Sequence, residues 1–409
     1  MNCRFCKSKI QNIFADLGKT PLANSYVKKN KSVKKEIIFP LKSYVCSKCF
    51  LVQLEQVEEP SAIFKNYAYM SSFSYSWLKH IEKFCEDTHT RFKLTKNSKV
   101  VEIASNDGYL LKNFQKKKVS ILGIEPAENV AKIARKEKIP TVTKFFGYNT
   151  SKDIVKKYGQ SDLLIAFNVL PHVPNLKDFI KGMKNLLRNE GVAIIQFSAY
   201  LDQMIQQTGF DAIYHEHFSY FSLTFLKKIF EYFGLIIFDI EEFDVHGGSL
   251  RLFLKHKNNS DFLVSKKIKN KLENEKKHKL NKIQTYTRFQ DQIIKEKIDI
   301  WKFFIKAKNE NKSIVGYGAP AKATTMLNYC GIKNDFLEYT VDINPNKQNH
   351  FLPGTNIPIF SPKKIFQTKP DYILILSWNL KDEIINQMKD VKKWNCKFVV
   401  FTPKVRIIN

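Results

Sequence analysis

No apolar run in this 409-residue chain is long enough to span a bilayer, so no membrane partner is expected. The first residues, MNCRFCKSKI, lack the apolar stretch of a secretory signal, which makes a cytoplasmic location the expectation. In that reducing setting the seven cysteines point to metal or structural roles rather than disulfides. Acidic residues are few beside basic ones, 39 against 67, for a formal charge of +28. A field of that size ordinarily suggests nucleic acid or an anionic surface. Arginine, however, is scarce: it supplies only seven of the 67 basic side chains, and the lysines are scattered along the whole length. Arginine is the residue that grips phosphates and base edges with paired hydrogen bonds, so nucleic acid is not the expected partner. A phosphorylated small substrate would still benefit from the field.

What is present divides the chain into three parts, as its length leads one to expect. Residues 1–68 carry two CxxC knuckles, Cys3 with Cys6 and Cys46 with Cys49. Four thiolates in that arrangement read as one tetrahedral, structural Zn2+ site. The long insert between the knuckles is tolerable, because loop closure grows only slowly in cost with length. Four cysteine ligands leave no open position for catalysis, which makes the segment a structural clamp and a wall of the substrate site.

Residues 69–256 alternate strands and helices as a parallel α/β sheet requires. SKVVEIASNDGYLLKNF reads as a buried strand, a small polar turn from Ala104 to Gly108, and a helix. SILGIEPAENVAKIARK follows as a second strand ending at Glu125 and a second helix. In such sheets cofactors sit at the carboxyl ends of the strands, where a turn of small residues admits the ligand and an acid further on accepts the ribose hydroxyls. The segment IYHEHFSYFS concentrates Tyr214, His215, Glu216 and His217, in a chain with nine histidines, where a proton could be moved near neutral pH. If this segment is extended, His215 faces away from His217 and is structural.

Residues 257–409 open on a stretch, from Ile268 to about Lys308, that is rich in lysine and glutamate and reads as a long helix. From Ile283 its apolar residues recur as in one long amphipathic helix with a solvated face. KSIVGYGAPAKATTMLNYCGI then reads as strand, glycine turn and helix, the start of a second Rossmann-like sheet. Such a turn can present amides and a helix N-terminus to a phosphate.

Taken together, the ordered pieces CxxC, CxxC, YAYMSSFSYSWLKH, VVEIASNDGYLL, GIEPA, NVLPHVPN, YHEHFSYFS, VHGGSLR and GYGAPAKATTMLNYCGI resemble the sugar C-methyltransferases over nearly the whole chain. The resemblance implies a small zinc-binding domain, a class I methyltransferase domain and a C-terminal Rossmann-like domain. It implies methyl transfer from S-adenosylmethionine (SAM) to a carbon beside the ketone of a nucleoside-diphosphate ketosugar. Glu102, Ala104, Ser105, Asn106, Asp107 and Gly108 would hold the methionine end of SAM, Glu125 its ribose, and Asn168 would bind the cofactor as well. Ala104 stands where the family more often has glycine. By the same resemblance His217 is the base and Tyr214 donates to the enolate oxygen or shares the proton transfer. Glu216 would orient the imidazole, His172 would bind sugar oxygens, and Tyr69 would come in on a lid-like stretch. His246 and Arg251 are expected around the sugar, with Gly318, Lys322 and Lys347 at the diphosphate. A monomer or homodimer is expected. An O- or N-methyltransferase remains the alternative among enzymes, and a zinc-containing nucleic-acid-binding protein the alternative outside them.

Overall fold

A computed structural model describes residues 1–28, 36–64, 72, 74–243 and 247–409. The central sheet has seven strands in the order Leu235–Phe243, Ser249–His256, Leu187–Ser198, Ser161–Phe167, Lys99–Ile103, Ser120–Ile124 and Thr141–Val142. Only Ser249–His256 runs antiparallel to its neighbours. The strands KVVEI and SDLLIAF are buried almost throughout, as continuous apolar runs must be when helices cover both faces. Side-chain oxygens start the helices: Ser74 caps Tyr75–Arg91, Asn175 caps Leu176–Leu186 and Ser222 caps Leu223–Tyr232.

The C-terminal sheet has six strands, in the order Ile359–Phe360, Thr340–Val341, Ile314–Tyr317, Tyr372–Ile375, Lys397–Val400 and Arg406–Ile408. All pairings are parallel except that of the last strand. The long helix expected to lead into it is broken. Three helices, Lys266–Lys277, Ile283–Thr287 and Phe289–Asn309, take its place. Lys279 turns left-handed at φ 60°, and the break lets Leu280, Tyr286 and Phe289 point into a core shared with the N-terminal segment. There Phe14 stacks on Phe289 at 4.5 Å between ring centroids. Burying a phenylalanine of this kind stabilises the fold by about 1.5–3 kcal/mol, more than the few tenths that exposed side-chain pairs give a helix.

The cysteine-bearing segment is stitched to both larger parts. Its antiparallel strands Asn12–Thr20, Phe39–Val45 and Val52–Leu54 take Ser219–Tyr220, just past the histidine cluster, as a fourth strand. Its Val27–Lys28 pairs with His350–Phe351 of the C-terminal part. One hydrophobic core runs from Cys3, Phe5 and Cys46 into the central sheet. Among the described residues no helix is long and apolar enough to cross a membrane.

Candidate active site

The four thiols of Cys3, Cys6, Cys46 and Cys49 lie within 4.8 Å of one another. Cys3 Sγ to Cys49 Sγ and Cys6 Sγ to Cys46 Sγ are each 3.5 Å. Zinc–sulfur bonds of about 2.3 Å in a tetrahedron place sulfurs roughly 3.8 Å apart, so the thiols fit Zn2+ with only slight adjustment. The knuckle also reaches the histidine segment, since Arg4 Nη1 donates to the Phe218 carbonyl at 2.9 Å.

A cavity of ≈ 680 Å3 opens at the carboxyl ends of the central strands and is walled by all three parts of the chain. One end is the turn after Lys99–Ile103. Ala104 and Asn106 are left-handed there, at φ 57° and 50°, and the alanine found where glycine is commoner adopts the conformation glycine would. Gly108 sits at φ 81°, where an added methyl would come within 3.0 Å of Ile139 Cγ1. Asn106 N–H and Ala127 N–H donate to the two oxygens of Glu125 at 2.9 and 2.8 Å, which fixes that carboxylate at the cavity wall with lone pairs to spare for a diol. Glu102, Ser105 and Asp107 are buried behind this wall. The carboxylate oxygens of Glu102, Asp107 Oδ1 and Asn168 Oδ1 have no hydrogen-bond partner among the described residues. Burial raises the pKa of Glu102 well above that of an ordinary carboxylate, as do the charges of Asp107 and Glu125. Of these orphaned acceptors Asn168 lines the cavity, beside Ala104, Asn106 and Glu125, and suits a hydrogen-bond donor of SAM.

Midway along the cavity lies the turn at residues 214–217, closed by His217 N–H donating to the Tyr214 carbonyl at 2.9 Å. The turn brings the rings of Tyr214 and His217 to 4.1 Å and sends His215 the other way, where its Nε2 bonds the Pro40 carbonyl at 3.1 Å. His217 Nδ1 donates to the Ala212 carbonyl at 3.0 Å, so that nitrogen carries the proton. Nε2 is then an acceptor, and the Tyr214 hydroxyl donates to it at 2.8 Å. His172 Nδ1 donates to the Glu216 carbonyl at 2.8 Å, and its ring meets that of His217 at 4.8 Å. Burial lowers the pKa of His217 well below that of free imidazole, helped by the neighbouring His172, and lowers that of His172 to about 4. Both rings are neutral at working pH.

The role expected of Glu216 needs correction. Its carboxylate does not orient His217; the Ala212 carbonyl does. Glu216 Oε1 instead accepts from Asn24 Nδ2 of the N-terminal segment at 2.6 Å, and burial raises its pKa to about 7. Neither Ala212 nor Asn24 carries a sequence signal, because one acts through its backbone and the other from nearly two hundred residues away.

At the far end the C-terminal part contributes Gly318, Lys322 and Lys347. Gly318, at φ 97°, has Ser377 Oγ where a β-carbon would be. The amides of Gly318 and Ala319 serve Val341 O and Asp342 Oδ2, which leaves the first turn of Ala321–Cys330 to face the cavity. Lys322 lies 4.7 Å over the Trp378 ring, whose Nε1 bonds Asp211 at 2.6 Å. Lys347 lines the same cavity, its ammonium donating to Ala319 O at 3.0 Å and pairing with Asp342 at 3.4 Å. Arg251 is corrected as well. It bonds Gln196, Glu241 and His80 beside a separate groove, away from the large cavity, and so pins the sheet edge. Tyr69 and His246 lie outside the described residues.

The sheet order, the cofactor turn and the four-thiol site together define a zinc-containing methyltransferase dependent on SAM. Family profiles agree: a zinc binding domain matches residues 3–64, a methyltransferase domain 77–238, and a C-methyltransferase C-terminal domain 244–403. C-methyltransferase NovU of Streptomyces niveus is 31% identical over 407 residues, covering 100% of this chain and 96% of that protein. Among solved structures, a SAM-dependent methyltransferase from Clostridium acetobutylicum matches 44% of this chain and 92% of its own at 12% identity and TM-score 0.35. Magnesium protoporphyrin IX methyltransferase from Synechocystis, with bound SAM, matches 43% and 78% at 14% identity and TM-score 0.34. The chain belongs to the sugar C-methyltransferase family. Its cofactors are SAM and structural zinc.

Proposed function

We propose that the enzyme methylates a carbon beside the ketone of a nucleoside-diphosphate ketosugar through an enolate, with His217 as base. The observation that carries this reading is the Tyr214–His217 hydrogen bond in the same cavity as the cofactor turn. Carbon next to a ketone becomes nucleophilic only after losing a proton, which requires a base and a donor for the enolate oxygen. When the ketone oxygen replaces Nε2 as acceptor of the Tyr214 hydroxyl, the Nε2 lone pair is freed to take the C–H proton. The electron pair of that bond passes to the ketone oxygen, held by Tyr214, and the imidazolium keeps its Nδ1–H on Ala212. SAM supplies the electrophilic methyl. His172, with Nδ1 donating, offers Nε2 only as an acceptor, which matches a sugar hydroxyl rather than the ketone. Glu216 accepts from a second hydroxyl. Lys322 and the first turn of Ala321–Cys330 receive the diphosphate. In this reading 1–68 is a clamp, 69–256 carries SAM and chemistry, and 257–409 covers the sugar nucleotide.

The test uses labelled SAM and a panel of 4-keto sugar nucleotides. Label is expected on carbon, and His217→Asn should abolish transfer while leaving SAM affinity nearly intact. Full activity in that variant, or methylation of a sugar whose ketone has been reduced, would refute the enolate route and point to O-methylation.

A further inference from the structure

The zinc-binding segment reaches the reaction centre through a short strap, residues 21–26, with sequence PLANSY. Thr324 Oγ1 donates to the Ala23 carbonyl at 3.0 Å, and the Tyr26 hydroxyl donates to the Ala319 carbonyl at 2.7 Å, so the strap is fastened to the C-terminal part at two points. Asn24, between those anchors, and Tyr26 line the cavity, and Asn24 Nδ2 donates to Glu216 Oε1 at 2.6 Å. Glu216 is 3% exposed. A buried carboxylate needs donors to remain ionised, and Asn24 is a neutral donor that stabilises the anion without quenching it as a lysine would.

We propose that Asn24 is a positioning residue: it fixes the Glu216 carboxylate in the cavity wall and keeps it ready to accept a hydrogen bond from the sugar. The proposal rests on the reading of Glu216 as a sugar-hydroxyl acceptor. It gives the zinc-bearing segment a part in substrate recognition beyond that of a clamp. The other groups facing Glu216 leave this role to Asn24. From its own turn come Tyr214 and His217, and His172 bonds the Glu216 backbone carbonyl. Tyr26 is a phenol whose own ionisation burial opposes. From the C-terminal part, Lys347 is engaged by Ala319 and Asp342, and Lys322 lies against Trp378.

The sign of the effect follows from which form Asn24 binds. An N–H donor favours the carboxylate, so its loss favours the acid and moves the titration of Glu216 upward from about 7. The experiment takes the full-length, zinc-loaded protein labelled with 13C at glutamate carboxyls, and identifies the Glu216 signal by its disappearance in Glu216→Gln. Asn24→Ala, and Asn24→Leu, which keeps the bulk while removing the donor and so guards against a packing defect, are each expected to raise the midpoint by about one unit. The acid limb of kcat/KM should move with it, which gives a roughly fivefold loss at pH 7 that is recovered at pH 9. An unmoved midpoint in both variants, or a loss of activity equal at every pH, overturns the proposal. If the midpoint moves as stated while the wild type transfers no methyl to any ketosugar nucleotide, the positioning role stands and the functional reading falls.

Discussion

At the scale of single residues, burial and hydrogen bonding decide the protonation of the reaction centre. His217 is held neutral with its proton on Nδ1, so its base form is present throughout the working range and it imposes no acid limb near pH 6.5. The group that titrates near neutrality is Glu216, whose pKa burial raises to about 7. Its ability to accept a hydrogen bond is present above that pH and lost below it. The expected kcat/KM profile therefore falls below about pH 7, and the limb vanishes in Glu216→Gln; a limb that persists in that variant would assign it to another group. Tyr214→Phe keeps the ring but removes the donor to the enolate oxygen. Loss of one such donor costs about 10²–10³ in kcat, which a steady-state measurement with saturating SAM would read.

At the scale of elements, local pattern carried much of the architecture but not its joins. The strands KVVEI, SILGI and SDLLIAF were legible because a strand buried on both faces must be apolar throughout, and the cysteine knuckles because zinc imposes their spacing. The segment 214–217 was legible as a candidate from its crowd of titratable side chains; His215 does face away from His217, but because a turn closes there and not because side chains alternate along an extended segment. What escaped notice depends on distant partners. The strand Ser219–Tyr220 exists because Val52–Leu54 offers it an edge. The helix break near Lys279 exists because Tyr286 and Phe289 are drawn to Phe14, although local periodicity favours continuation. The assignment of Arg251 failed for a related reason, since a sequence displays a cation but not the carboxylate that has already paired it. At Gly318 the positive φ and the adjacent Ser377 hydroxyl leave no room for a methyl. Gly318→Ala should lower stability by about 1–2 kcal/mol or more, seen as a fall in the midpoint of thermal unfolding.

At the scale of the molecule, the zinc-bearing segment shares its sheet with the strand after the histidine cluster, its core with the central sheet, and a two-stranded ribbon with the C-terminal part. Metal binding to such a segment is coupled to folding. Stripping zinc with a chelator is therefore expected to lower the unfolding temperature of the whole protein in one transition and to end methyl transfer. A separate early transition with activity retained would show the segment to be an independent appendage.

The central claim is that carbon beside a ketone is made nucleophilic inside the three-walled cavity, and hydrogen exchange tests it without needing a completed transfer. Incubated in deuterated water with a 4-keto sugar nucleotide, the wild-type protein should place deuterium on the carbon next to the ketone, and His217→Asn should not. Methyl transfer to carbon that proceeds with no such exchange in wild type, or exchange undiminished in His217→Asn, would contradict it.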